Sequence, residues 1–218
     1  MIIEFTGVPC CGKSAVSHEL AKLLRDHGYS VCEKQYEVSH NTNSAVRAFK
    51  KLLSCFGYCL KHPKKALSDY RFIGSKRLWL NDMYMRSHKC KQDVCILEQG
   101  YLQLVGSFFD GQKPDAEKMK ILLNRLVPEN EIVQVFVAAS QETVLERANA
   151  RQDKPFFMQA EQPEKALEQV FATVEMLGQV WRANRGEAGA ITVWNEQGHT
   201  PREAAITIFD FMKQKGFL

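Results

Sequence analysis

Two glycines five positions apart, Gly7 and Gly12, constrain this chain more than any other feature, because Lys13 and Ser14 follow them directly. A short apolar run precedes the first glycine, as expected of a buried parallel strand. The residues after Ser14 carry apolar side chains at helical spacing. A strand, a glycine loop and a helix in this order wrap backbone N–H groups around a di- or triphosphate.

Each residue type in this loop has a physical role. Gly7 and Gly12 permit backbone angles that a side chain would obstruct. Lys13 is expected to reach the β- and γ-phosphates, and Ser14 to bind the Mg²⁺ that bridges them. The predicted cofactors are therefore ATP and Mg²⁺. The residues expected to contact the nucleotide are Gly7, Val8, Pro9, Cys10, Cys11, Gly12, Lys13, Ser14 and Ala15.

Length and composition favour one domain. The chain has 218 residues, and 45% of them are hydrophobic, which is ample for a packed core. The apolar runs are too short to span a bilayer, and the N-terminus has no basic segment typical of a signal peptide. Seven cysteines without paired metal-ligand spacing indicate reduced thiols. We therefore expect a cytoplasmic protein without a membrane partner, in which the thiols beside Lys13 could be reactive.

The charge is unevenly distributed along the chain. Residues 47–91 contain twelve Lys/Arg and two acidic residues, a net charge of +10, whereas the rest contains 17 basic and 23 acidic residues, a net charge of −6. Such an excess indicates an anionic partner, although a solvated lysine-rich helix face would look the same. The segment lacks the regular aromatic spacing of a nucleic-acid stacking platform, so a small anionic acceptor is the favoured partner.

Strand and helix patterns alternate along the chain, which predicts a parallel sheet between helices, an α/β fold. The predicted strands are 2–5, 29–36, 93–98, 131–138 and 190–194. The predicted helices are 15–26, 45–60, 66–89, 101–109, 115–126, 140–151, 164–184 and 201–215. About sixty residues separate the second and third strands, far more than a crossover needs. We interpret residues 41–91 as a helical lobe that binds the acceptor, within one domain of residues 1–218.

Glu98 closes the third strand. A carboxylate there, in a chain with a phosphate-binding loop, is expected to hold Mg²⁺ or to position the attacking nucleophile. The alternative is an ordinary exposed glutamate at a strand end. Gln99, Tyr101 and Gln103 follow at once and are predicted to project near the same cleft.

Arg147 and Arg151 lie four residues apart, on one face of a helix. They precede a polar segment with prolines, residues 151–163, which we interpret as a lid. Arginine can bind two oxygens of a transferring phosphoryl group, so both are candidate catalytic residues together with Lys13 and Glu98. The alternative is a surface pair bonded to Glu142 or Glu146.

Three further residues are candidates for acceptor binding. Arg77 lies on a largely apolar helix face, where it either extends along that surface to solvent or is directed into a cleft. Arg71 is less constrained. Glu33 ends the second strand and could accept a proton from a substrate hydroxyl, with a solvent-facing role as the alternative.

The chain resembles the P-loop kinases of the nucleoside and nucleotide kinase group, with a layout similar to thymidylate kinase. The segments that carry the resemblance are 7–14, 73–77, 94–100 and 142–151. The resemblance implies a three-layer fold with strand order 2-3-1-4-5, an acceptor lobe, an arginine lid and contact of Arg77 with an acceptor phosphate. Glu98-Gln99 replaces the Asp-Arg of thymidylate kinases, and Glu33-Lys34-Gln35 replaces their Arg-Glu-Pro turn. These departures favour a divergent small-molecule kinase.

Three functions stay open. The first is Mg-ATP-dependent phosphoryl transfer to a nucleoside monophosphate or nucleoside. The second is a kinase of a non-nucleotide metabolite, such as a sugar or an antibiotic. The third is a nucleotide-dependent switch or a nucleic-acid-associated NTPase, although the Asn-Lys-x-Asp motif of GTPases does not follow the fourth strand. A homodimer and a monomer are both compatible with the sequence.

Overall fold

The computed structural model describes residues 1–33, 91–109, 112–127, 132–196 and 198–218, together with single helical positions between residues 49 and 63. Five strands form one parallel sheet in the order β2-β3-β1-β4-β5, which confirms the predicted order. The strands are β1 (Ile2–Thr6), β2 (Val31–Cys32), β3 (Val94–Leu97), β4 (Ile132–Ala138) and β5 (Ala190–Trp194).

Helices follow the strands in the predicted α/β alternation. The continuous described helices are α1 (Lys13–Asp26), α2 (Tyr101–Ser107), α3 (Ala116–Leu126), α4 (Gln141–Ala150), α5 (Pro163–Arg185) and α6 (Pro201–Gln214), with a 3₁₀ helix at Phe156–Gln159. Their starts have physical causes: Ser140 caps α4 by accepting from the Thr143 N–H, and Thr200 and Glu203 form a reciprocal capping box on α6. Among the described helices, none is both long and apolar enough to cross a membrane.

The two faces of the sheet pack into separate cores, because successive strand residues point to opposite sides. Ile3 and Phe5 of β1 pack with α1, α4 and α6. Ile2 points to the other face, where α2, α3 and the second half of α5 pack. Glu4 and Thr6 alternate onto that second face and are completely buried there. The sheet therefore carries a polar patch in the middle of one core.

The second strand differs from its prediction. Tyr29 to Tyr36 was the expected range, but the described strand is only Val31–Cys32, and the described stretch ends at Glu33. The described helical positions from 49 to 60 agree with the predicted helix 45–60, whereas position 63 is helical beyond the predicted end. Most of the predicted lobe at 41–91, including Arg71 and Arg77, lies outside the described residues.

Candidate functional site

The site lies at the carboxyl edge of the sheet, where the chain leaves β1 and enters α1. Gly12 has a φ of 93°, in the left-handed region that favours glycine. A side chain at Gly12 would also collide with the amide of Asn195, which follows β5. Cys10 has a φ of 69°, an uncommon conformation for a residue with a side chain. The loop therefore has a tight, specific shape with helix α1 beginning directly behind it.

Lys13 folds back over this loop. Its ammonium donates to the backbone carbonyls of Gly7 at 2.8 Å and Val8 at 3.1 Å. The positive charge is thus held at the mouth of a loop that ends at a helix N-terminus. Both features attract a phosphate group.

Ser14 and Glu98 meet across the site, although 84 positions separate them in the chain. The Ser14 hydroxyl donates to Glu98 Oε2 at 2.7 Å, and Glu98 is only 8% exposed. The second carboxylate oxygen, Oε1, is buried and has no hydrogen-bond partner among the described residues. A hydroxyl and a carboxylate with a free oxygen are hard donors that suit Mg²⁺. The alternative of an ordinary exposed glutamate does not describe Glu98.

No group of three or more His, Cys, Asp or Glu side chains forms a metal cluster within the described ranges. A protein site for Mg²⁺ usually takes only one or two side chains, and the substrate phosphates and water complete the coordination of the ion. Ser14 and Glu98 are therefore the residues that fit the ion predicted from the sequence.

Arg147 links the loop to the residue that follows β5. Its guanidinium donates to the carbonyls of Cys11 at 3.1 Å and Asn195 at 3.0 Å, and the Asn195 side chain donates to the same Cys11 carbonyl at 2.9 Å. The half-buried Arg147 has no described salt bridge to the acidic residues on its own helix. Its predicted catalytic role stays a prediction.

Arg151 lies one turn further along and is exposed. Its guanidinium is 3.6 Å from the Cys10 thiol, so it reaches the outer side of the loop. The segment after it includes the 3₁₀ helix, where Phe157 is completely buried. The predicted lid at 151–163 is thus anchored in the core at one point, and Arg151 borders the loop.

Glu33 is buried at the end of β2, so the solvent-facing alternative does not describe it. One carboxylate oxygen lies 3.1 Å from the His18 ring, and the other lies 2.7 Å from the Arg25 guanidinium. Both partners belong to α1. The carboxylate would have to leave them before it could accept a substrate proton, and its role in acceptor binding stays a prediction.

The three residues predicted to follow Glu98 toward the cleft have different surroundings. Gln99 is exposed, as expected of a cleft residue. Tyr101, the first residue of α2, is 2% exposed and packs in the core. Gln103, in the first turn of α2, accepts a hydrogen bond from the Gly7 N–H at 3.3 Å. Helix α2 is therefore tied directly to the loop.

Two residues near the loop escaped sequence reasoning. Asn195 supports the loop. The sequence feature that could have indicated this role is the position of a polar residue directly after a predicted strand. Glu4 is completely buried in β1, and its signal was a charge inside an apolar run. Its carboxyl accepts from the Leu102 N–H at 2.7 Å, while burial raises its pKa to about 7.

Comparisons with known proteins agree with this fold. Deoxyadenosine kinase from M. mycoides superposes with a TM-score of 0.56 at 15% identity, covering 98% of this chain and 100% of that one. Thymidylate kinase from Ehrlichia chaffeensis superposes with a TM-score of 0.52 at 12% identity, covering 97% of this chain and 98% of that one. Shikimate kinase from Acinetobacter baumannii superposes with a TM-score of 0.51 at 16% identity, covering 98% of this chain and 93% of that one.

The chain therefore has the fold of the P-loop kinases of the nucleoside and nucleotide kinase group, at low sequence identity, and the resemblance seen in the sequence is confirmed at the level of the fold. No family model matches the chain, and no curated protein matches it in sequence.

Proposed function

We propose that this protein is an ATP-dependent phosphotransferase that acts on a small acceptor, a nucleoside monophosphate or a nucleoside. The observation that carries the proposal is the 2.7 Å hydrogen bond between Ser14 and Glu98. It brings the end of the phosphate-binding loop and the carboxylate after β3 to one point. The kinase names of the superposed structures support the same class of reaction.

The chain's own residues divide the work of such a reaction. The loop N–H groups and Lys13 would bind the phosphates of ATP, and the α1 N-terminus would favour their negative charge. Ser14 and Glu98 would hold Mg²⁺, which supplies charge neutralisation when bound. Arg151 borders the loop and would approach the transferring phosphoryl group. Catalysis of this kind depends mainly on positioning and electrostatic stabilisation.

A kinase of a non-nucleotide metabolite is the second candidate. It is favoured by the buried Glu33 carboxylate at the carboxyl edge of the sheet, because an uncharged hydroxyl acceptor needs a base. The shikimate kinase superposition is compatible with this acceptor class. A nucleotide-dependent switch would bind ATP without transferring phosphate to any acceptor.

Acceptor-stimulated ADP release tests these candidates together. The purified protein is incubated with Mg-ATP and a panel of nucleosides, nucleoside monophosphates, phosphosugars, hydroxy acids and aminoglycosides. We expect release to be stimulated most by an anionic nucleoside compound, and to be abolished in Lys13→Ala. Lys22→Ala is the matched control, because Lys22 is an exposed lysine on the same helix that pairs with Glu19.

The outcomes separate the candidates. Stimulation only by compounds that are neither nucleosides nor nucleoside monophosphates would replace the first candidate with the second. Tight ATP binding without stimulation by any compound would contradict phosphoryl transfer and favour the switch.

A further inference from the structure

Glu4 is the least expected residue of the core. It lies in the middle strand of the sheet and is completely buried. An unpaired charge in such a place is costly, and a carboxyl there is retained only when something compensates for it. The compensation comes from one neighbour, the first turn of α2.

The carboxyl acts as a cap for this helix. Gly100, the residue before α2, has no side chain and supplies no capping bond. Glu4 takes its place: Oε1 accepts from the Leu102 N–H at 2.7 Å, and hydrogen bonds from the backbone of Tyr101 and Gln103 also lower its pKa against the dominant effect of burial. The helix start is therefore fixed by a residue from another strand.

The fit between Glu4 and Gly100 is close. A side chain at Gly100 would collide with the Glu4 carboxyl. The backbone turn that leads into α2 can thus pass directly over Glu4 only with a glycine at this position.

This turn carries Glu98. In the sheet, Glu4 is paired in register with Leu97, the residue immediately before Glu98. Glu98 and Gln99 are the residues that join Leu97 to Gly100. On the far side, Gln103 of the same helix accepts from the Gly7 N–H at 3.3 Å. The short segment between Leu97 and Leu102 is held at both ends by contacts with β1 and its loop.

From this geometry we infer that Glu4 is a positioning residue for Glu98: by capping α2 beneath Gly100, it fixes the turn that presents the Glu98 carboxylate to Ser14. The inference rests on the proposed function, because Glu98 matters through the Mg²⁺ that it would hold with Ser14.

The test is the gain in ATP affinity that Mg²⁺ provides, measured by calorimetry in excess Mg²⁺ and in EDTA. Glu4→Met removes the hydrogen-bond acceptor of the Leu102 N–H while keeping a side chain of similar length. We expect the Mg²⁺-dependent gain in ATP affinity to fall at least fivefold in this variant. Its ATP affinity in EDTA should stay within twofold of the wild type. Glu4→Gln keeps an oxygen for the Leu102 N–H and should retain the gain within twofold.

Gln134→Met is the matched control. Gln134 is equally buried and donates to the Glu4 carbonyl at 3.1 Å and to the Thr6 hydroxyl at 3.0 Å, contacts that do not involve α2. We expect this variant to lose stability and to keep the Mg²⁺-dependent gain. A merely structural role for Glu4 would give both methionine variants the same behaviour.

Should Glu4→Met fail to fold, Gly100→Ala decides, since it displaces the same turn from the other side and should reduce the gain equally. An unchanged gain in a folded Glu4→Met or Gly100→Ala variant overturns the inference and leaves the proposed function intact. A wild-type protein that binds ATP equally with and without Mg²⁺ instead contradicts the Mg²⁺ site of the proposed function.

Discussion

At the scale of single residues, the backbone geometry and the close contacts of the loop restrict which amino acids its positions can accept. Gly12 combines a left-handed backbone with contact against Asn195, so both its φ of 93° and its lack of a side chain are required. Lys13 and Ser14 could be assigned from the sequence because their roles depend on positions relative to the glycines. Glu4 could not, because the partner of its carboxyl is 98 positions away.

Glu4 should make stability depend on pH. Burial raises its pKa from 4.5 to about 7, so the folded state binds the proton more tightly than the unfolded state. This contribution is complete below pH 4.5 and is lost as the pH rises toward 7 and above. A shift of this size corresponds to roughly 3 kcal/mol in total.

Glu4→Gln removes this titration. We expect the free energy of unfolding of the wild type to fall relative to Glu4→Gln between pH 5 and pH 8, as measured by urea denaturation at several pH values. Parallel profiles for the two proteins would show that the Glu4 carboxyl does not titrate in this range.

At the scale of elements, the two predicted arginines occupy different surroundings, because Arg147 lies within α4, whereas that helix ends at Ala150 and the backbone of Arg151 is extended. Arg147 connects α4 to the carbonyls of Cys11 and Asn195, and thus to the loop and the end of β5. Arg151, at the end of the helix, is exposed beside Cys10. The spacing of the two arginines in the sequence suggested that both lie near the loop. Only the packing of α4 against the loop shows that Arg147 supports the loop backbone while Arg151 stays at the surface.

Arg147→Ala should weaken the fold. Loss of its charged hydrogen bonds should lower the free energy of unfolding by about 1–3 kcal/mol. Arg151→Ala is the control, because Arg151 follows the same helix and also borders the loop, and its effect should stay within about 0.5 kcal/mol because the residue is exposed. Chemical denaturation measures both, and equal stability of the two variants would contradict the bracing role of Arg147.

Arg151→Ala should instead reduce turnover. If Arg151 stabilises the transferring phosphoryl group, kcat should fall by about 10³-fold while the KM for ATP changes little. Steady-state kinetics with the acceptor found in the screen provides the measurement. A near-normal kcat would remove Arg151 from the catalytic residues.

At the scale of the whole molecule, the alternation of strands and helices and the position of the phosphate-binding loop followed from the sequence, because they depend on local periodicity and on chain connectivity. The order of the strands in the sheet was instead implied by the resemblance to the P-loop kinases. The acceptor site did not follow in the same way. Its predicted residues, such as Arg77, belong to an excursion between β2 and β3 whose packing no local pattern determines. The charge of +10 on residues 47–91 is the remaining guide to the acceptor.

This charge predicts a salt dependence. If the segment attracts an anionic acceptor over a distance, the acceptor's KM should rise as the salt concentration is raised from 0.05 M to 0.3 M, because screening shortens the range of the attraction. Arg77→Lys should raise the same KM, since lysine cannot bind two phosphate oxygens in a plane. The KM for ATP should change little, and Arg202→Lys on α6 serves as the control. An acceptor KM that is insensitive to both changes would contradict an anionic acceptor held by this segment.

ATP binding to the wild type and to Lys13→Ala tests the central claim most directly. Calorimetric titration with ATP in excess Mg²⁺ should give one site in the wild type, and an affinity at least tenfold weaker in Lys13→Ala with an unchanged thermal midpoint in the absence of ligand. Lys22→Ala should bind like the wild type. Absence of ATP binding by the wild type, or equal binding by Lys13→Ala, would contradict the account.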